Sequence, residues 1–218
     1  MNPGSRLDVF PLPPQAHLCG TFQTPGERDR AMGAFFRTGL VAGEHCMIAV
    51  DTADPDDILA AIGSPAEITA WEKSGRLTVR TAPDPRQTRE PLTFGQMMDV
   101  WGELIDRSRF TRVRLGGEAS WWLHQTSQER LLRYESEMNR TIPAEVAVLC
   151  LYDLNRFSSG VLIDVVQTHP RALVSEMIVE NPYYIEPEAY LALRERRKTG
   201  LAEVPAAEEA AAFLDGMS

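Results

Sequence analysis

The chain is short of cysteine, of positive charge, of long apolar runs and of compact catalytic signatures. Its three cysteines, Cys19, Cys46 and Cys150, are odd in number and sit in apolar, strand-like runs. They read as buried free thiols of a reducing cytoplasm rather than as a disulfide framework. Paired CxxC spacing is absent, so no metal and no cofactor is expected. Lys and Arg number 22 against 31 Asp and Glu, a net charge of −9. An acidic chain with no basic stripe lacks the footprint of nonspecific nucleic-acid binding. The densest basic run, RERRKTG at 194–200, reads as a solvated helix end, where cations are favoured by the backbone dipole. No run of about 18 apolar residues occurs, so no membrane span is expected. The opening MNPGSRLDVFPLPPQ has neither the basic nor the apolar region of a signal peptide. GxSxG, HExxH and paired Cys/His ligands are all missing, and there is no internal repeat.

What is present is an alternation of strand and helix patterns along 218 residues, 44% of them hydrophobic. That is enough to bury the core of one large domain. Residues 1–15 read as a loose Pro-rich arm, 16–198 as the domain, and 199–218 as an Ala/Glu-rich tail. Strands are expected at 17–22, 46–50, 76–81, 111–115, 145–152 and 173–179. Helices are expected from Arg28, at 55–62, from Pro65, through Phe94 to Ile105, from a Thr126/Glu129 capping box, at 157–166 and at 187–198. The apolar run EVAVLCLY belongs at the centre of a sheet covered on both faces. Hairpin turn signals are absent, so a three-layer α/β/α domain with a mainly parallel sheet is predicted. The turn-rich segment 82–91 is a candidate lid.

The first strand–loop–helix–strand unit, His17 to Asp51, has the order of an ATP-binding recombinase fold. Its loop, QTPGERDR at 23–30, does not have the matching chemistry. A phosphate cradle needs small residues whose N–H groups curl around the anion, and a lysine to reach it. Here Gly26 stands alone, and Glu27 and Asp29 carry charge that repels a triphosphate. A RecA-like frame without a functional phosphate loop points to binding or sensing rather than to an NTPase.

Ligands of open parallel sheets sit beyond the carboxyl ends of the strands. That rule selects Gln23, Thr24 and Glu27, then Asp51, then Gly116, Gly117, Glu118, Ser120 and Trp121. It adds Tyr152, Asp153 and Asn155, with His169, Asn181, Tyr183 and Tyr184 from later segments. Glu118 either meets a ligand or pairs with Arg112 or Arg114. Trp121 and Trp122 cannot share a face, so one packs inside and the other lines a pocket or interface. Glu135 falls inside the apolar stripe of its helix, so it must be paired or hydrogen-bonded, with an arginine or tyrosine partner favoured over catalysis. His169 either bonds a backbone carbonyl or serves a site. His45 and His124 carry no pattern and read as surface residues. A hydrolase built from Glu118, Asp153 and His169 stays open, although no serine or cysteine sits on a nucleophile turn.

The ordered segments HLCGTF (17–22), Glu27, FFRTGLVAGEHCMIAVD (35–51) and VRLGGEASWWL (113–123) resemble the MEDS family. YESEMN (134–139), VAVLCLYD (146–153), THP (168–170) and NPYY (181–184) continue the match. That family is the sensory domain named after methanogens, methylotrophs and a dichloromethane-responsive regulator. The resemblance implies a clock- and recombinase-ATPase-like fold with its phosphate loop lost, and a role in sensing hydrocarbon derivatives. Glu118, Trp121, Glu135, Tyr152, Asp153, His169, Asn181 and Tyr184 fall on its motif positions, without roles that transfer. Family members are often fused to a kinase-type or helix-turn-helix output, and the roughly 20 residues after Lys198 are too few for one. The expected function is therefore a cytoplasmic sensory domain that binds a small organic ligand and signals to a separate kinase-type regulator or transcription factor. A homodimer is left open, and direct nucleic-acid or membrane binding is not expected. The expected ligand site is Glu118, Trp121, Tyr152, Asp153, His169, Asn181 and Tyr184, with no catalytic residues. A ligand-free interaction module is the other alternative to an enzyme.

Overall fold

The computed structural model describes residues 5–6, 12–50, 54–81, 110–121, 127–174 and 177–198. The expected lid at 82–91, the helix from Phe94 to Ile105, the tail from 199, and Trp122, His124 and Thr126 lie outside them.

Local chemistry sets the first elements. Strand β2 (Ala16–Phe22) leads into α1 (Pro25–Val41), which Thr24 caps with Pro25 in the first turn. Thr24 and Glu27 form a capping box, each side chain accepting from the other's backbone. Met32, Phe35, Phe36, Gly39 and Leu40 form the buried stripe of α1. Gly43, at φ +82°, takes the left-handed turn that releases the chain into β3 (His45–Val50). Helices α2 (Pro55–Ile62) and α3 (Pro65–Lys73) start on Asp54 and Ser64 caps and lead to β4 (Leu77–Thr81).

After β5 (Val113–Glu118) comes a short 3-10 turn, Ala119–Trp121. Then α4 (Gln128–Thr141), β6 (Val146–Asp153) and α5 (Ser159–Thr168) follow. Strands β7 (Arg171–Val174) and β8 (Met177–Glu180) precede α6 (Pro187–Lys198). With β1 (Ser5–Arg6), eight strands form one sheet in the order β1-β8-β7-β2-β6-β5-β3-β4. The six strands from β7 to β4 in that order pair in parallel.

Each face of the sheet carries its own core. Ala16, Leu18, Ile48, Leu149 and Leu151 pack with the apolar stripes of α1, α2 and α3. On the opposite face Cys19, Met47, Leu115, Val148 and Tyr152 pack with α4, α5 and α6. The alternation along β2 and β6 therefore sorts their side chains between two helical layers. Gly117 lets β5 lie close to β3, since a Cβ there would stand 2.1 Å from the Ala49 carbonyl oxygen.

Several expectations need correction. β7 and β8 form an antiparallel pair where one extended run at 173–179 was predicted, and β1 adds a second antiparallel pair at that edge. Part of the expected loose arm is thereby held: Ser5–Arg6 uses open ladder groups of β8, Leu12 is buried, and Gln15 bonds Ala144 and Ile142. Helix α4 is capped by Ser127, whose hydroxyl accepts from the Arg130 N–H, one residue later than the predicted box. His45 is buried rather than on the surface, stacked 4.8 Å from Phe110 and facing Thr78.

Arg112 and Arg114 pair with Glu44 rather than with Glu118. Side chains alternate along β5, and the Arg114 guanidinium runs under Gly39 into α1. There its Nε lies 2.5 Å from Glu44 and its Nη1 donates to the Phe35 carbonyl at 2.6 Å.

Candidate functional site

Three strands end side by side at the carboxyl edge: Phe22 is in register with Asp153, and Glu118 with Leu151. The predicted candidates do not all meet there. Glu118 is buried and faces Arg28 of α1 at 3.4 Å. Asp153 accepts from the backbone and the amide of Asn155, and that amide also reaches the Gln23 carbonyl. Trp121 closes the turn after β5. Tyr184 donates to Glu186 on the surface. The Asn181 amide nitrogen donates to the Val166 and His169 carbonyls, and its oxygen accepts from the Tyr183 N–H.

At the same edge, the N-terminus of α1 is occupied by its own side chain. The Gln23 and Thr24 N–H groups donate to Glu27 Oε2 at 2.7 and 3.3 Å, and Thr24 Oγ1 accepts from the Glu27 N–H. A helix N-terminus attracts anions through such free N–H groups. Here the Glu27 carboxylate, fixed in the chain, takes the N–H groups of Gln23 and Thr24 just ahead of the first turn.

Tyr152 and His169, by contrast, converge with residues that the sequence did not single out together. Beneath the sheet, on the α4–α5 face, lies a buried polar knot centred on Glu135. Tyr152 donates its hydroxyl to Glu135 Oε1 at 2.8 Å. The other oxygen, Oε2, lies 3.3 Å from His17 Nε2, 3.5 Å from His169 Nε2 and 3.7 Å from Cys150 Sγ. His17, Glu135, Tyr152 and His169 are each 1% exposed or less. The expected tyrosine partner of Glu135 is therefore present, along with two imidazoles and a thiol.

Local structure explains the convergence. His17 and Cys19 alternate on one face of β2, and Cys150 and Tyr152 do the same on the neighbouring β6. Glu135 and Asn139 stand one turn apart on α4, and His169 ends α5. Asn139 Nδ2 donates to the Thr168 carbonyl at 2.7 Å, which turns its oxygen toward His17 Nδ1 at 2.9 Å. His169 Nδ1 lies 2.8 Å from the Val165 carbonyl. The two imidazole rings are 4.0 Å apart.

Burial governs the protonation of this knot. It pushes His169 down to about 3, helped by the neighbouring His17, so the imidazole is neutral at physiological pH. Burial and then the Glu135 carboxylate raise Tyr152 and Cys150 well above their ordinary ranges. Cys19, buried alongside, is pushed up to about 12. The three cysteines are free, as expected.

His17, Cys150 and Asn139 are the site residues that sequence reasoning missed. The available signal was a polar residue on the same parity in each of two apolar strands, facing a carboxylate inside an apolar helical stripe.

The basic run at the end of α6 is held more firmly than its sequence suggested. Arg194 and Arg197 both reach Asp164 of α5, and Lys198 pairs with Glu129. Among the described residues, no helix is long and apolar enough to cross a membrane.

The crystal structure of the flagellar accessory protein FlaH from Methanocaldococcus jannaschii is similar at a TM-score of 0.53 and 9% identity. The match covers 77% of this chain and 73% of that one. The similarity, with the mainly parallel sheet, supports the expected RecA-like α/β fold. The transcriptional repressor DcmR of Methylorubrum extorquens is 25% identical over 160 residues. That match covers 70% of this chain, which spans 57% of the repressor's length. The profile of the methanogen/methylotroph, DcmR sensory domain matches residues 16–170. The chain thus belongs to the MEDS family of sensory domains.

Proposed function

We propose that this domain binds a small organic ligand at the carboxyl edge of its sheet and passes the occupancy to a separate output protein. The observation that supports the reading is the start of α1, where Glu27 holds the Gln23 and Thr24 N–H groups and places a carboxylate in the loop. Membership in a sensory family and similarity to a repressor support a regulatory role. The proposed seat lies over Phe22, Glu118 and Asp153, at the ends of three adjacent strands.

A continuous set of contacts leads away from that edge. Tyr152 bonds Glu135, Glu135 faces His169, and the His169 carbonyl accepts from Asn181 ahead of α6. Ligand occupancy that shifts Tyr152 would bias this set, and linkage would convert the bias into a changed affinity for the partner. The enzyme alternative gains no support from geometry, because Glu118, Asp153 and His169 bond to Arg28, Asn155 and Val165 respectively.

The test is a thermal-shift screen of the full chain against short halogenated, hydroxylated and methylated hydrocarbons. At least one compound class is expected to raise the melting temperature by several degrees, as roughly 100-fold saturation adds about 2.7 kcal/mol. Tyr152→Phe should keep the binding but weaken any ligand-dependent change in partner affinity. A flat screen together with a stoichiometric partner in a pulldown would favour the ligand-free interaction module instead.

A further inference from the structure

We propose that His17, Glu135, Cys150 and His169 form a tetrahedral site for one divalent transition metal ion, with zinc the best match to the donors. The inference is independent of the sensory reading. One ligand atom from each residue lies within 4.8 Å of all the others. Tetrahedral zinc with nitrogen, oxygen and sulfur ligands places its donors about 3.3–3.6 Å apart, from the usual bond lengths of 2.0–2.3 Å. The spacings here are 3.3 Å for His17 Nε2 to Glu135 Oε2 and 3.5 Å for His169 Nε2 to the same oxygen. Cys150 Sγ stands 3.7 Å from that oxygen and 3.7 Å from His17 Nε2. Two imidazoles, a carboxylate and a thiol are zinc's ordinary ligands, and softer or harder ions fit the mixture less well.

The hydrogen bonds around His17, Glu135 and His169 aim their lone pairs at one region. The Val165 carbonyl can only accept, so His169 carries its proton on Nδ1 and presents an unprotonated Nε2. That atom is fully buried and makes no hydrogen bond, although Glu135 Oε2 faces it. The Asn139 oxygen likewise holds the proton of His17 on Nδ1. Tyr152 binds Glu135 Oε1 and leaves Oε2 for the common point. Metal-bound histidines and carboxylates are oriented by outer partners of this kind. Acceptors facing one another in a dry interior repel. The Cys150 thiol donates to Glu135 Oε2 and relieves one contact, but His169 Nε2 still faces the carboxylate without a hydrogen. A single cation satisfies all four.

With four protein donors the site is closed, which is the form of a structural rather than a catalytic centre. It would tie β2, β6, α4 and the end of α5 together. Binding would release the Cys150 proton to solvent, and the thiolate would become a ligand.

The experiment uses the full chain, expressed without a histidine tag. Elemental analysis is expected to find about one zinc per chain. Chelator-stripped protein should bind Co²⁺ one to one, with tetrahedral d–d bands and a thiolate-to-cobalt charge-transfer band. Cys150→Ser should abolish the charge-transfer band while the far-UV spectrum is retained. His169→Gln should weaken zinc binding about 100-fold or more, at least the loss typical of outer-shell changes. The wild-type cobalt spectrum needs no variant and decides the matter if a substitution fails to fold. Folded, stripped protein that takes up neither Zn²⁺ nor Co²⁺ at micromolar concentration would overturn the proposal. So would a charge-transfer band that survives Cys150→Ser. A negative metal result leaves the ligand-sensing reading standing, and a flat ligand screen leaves the metal centre standing.

Discussion

Glu135→Leu is expected to lower the unfolding free energy of the chelator-treated protein by about 3–5 kcal/mol, the range for removing one member of a buried charged network. Leucine fits the apolar stripe of α4 and removes a costly buried carboxylate, so on volume and desolvation alone the change would be neutral. The loss comes from what remains. The Tyr152 hydroxyl, fully buried, would have no acceptor, and the polar edges of His17 and His169 would face hydrocarbon. Glu135→Gln keeps an acceptor for Tyr152 and should cost less, about 1–2 kcal/mol. Adding Tyr152→Phe to Glu135→Leu removes the stranded hydroxyl and should recover part of the loss, a coupling that urea titrations of the four proteins would measure. Glu135→Leu as stable as the wild type would show that the knot has no structural role.

The same protein should be acid-sensitive in a defined window. His169 is neutral in the fold, held near 3, but titrates near its ordinary 6.5 when the chain unfolds. Below 6.5 the unfolded chain therefore binds a proton that the folded chain refuses. Stability is fully present above that pH and is lost toward 3, at up to about 1.4 kcal/mol per pH unit.

Arg114→Met is the second large effect, about 3 kcal/mol. Arg114 is 2% exposed and serves two acceptors, Glu44 and the Phe35 carbonyl, with its guanidinium 5.1 Å from the centre of the Phe35 ring. Methionine fills the space beside Gly39 but leaves the α1 carbonyl unserved and Glu44 paired with Arg112 at 3.3 Å. That residual pair keeps the expected cost at the lower end of the range for broken buried pairs. Glu44→Gln in the Arg114→Met background should restore part of the loss, because the buried charge disappears with its partner. Urea midpoints of the single and double variants check both values. A cost below about 1 kcal/mol would mean that the ion pair is replaceable by apolar packing at no penalty.

Much of the frame was legible because it rests on local chemistry. The Pro55 and Pro65 helix starts, the Gly43 stop and the uninterrupted apolar run of β6 each carry their own signal, whereas α1, expected from Arg28, begins at Pro25. The β7–β8 pair was not legible: Ser175-Glu176, the sequence between the strands, contains neither glycine nor asparagine to mark a turn. Glu135 announced itself as a carboxylate in an apolar stripe, and a tyrosine was among its expected partners. Its meeting with His17, Cys150 and His169 could not be read, because parity tells which face a strand residue takes but not which helix covers that face. Glu118 shows the same limit in reverse, since its partner Arg28 on α1 lies 90 residues away in sequence, far beyond the neighbouring Arg112 and Arg114 weighed for it.

In the proposed function, the RecA-like frame serves sensing rather than nucleotide binding, with the Glu27 carboxylate set in the loop before α1. Isothermal titration of the full chain with Mg-ATP tests it most directly. No saturable heat is expected up to millimolar nucleotide. A one-to-one isotherm with sub-millimolar affinity would contradict it.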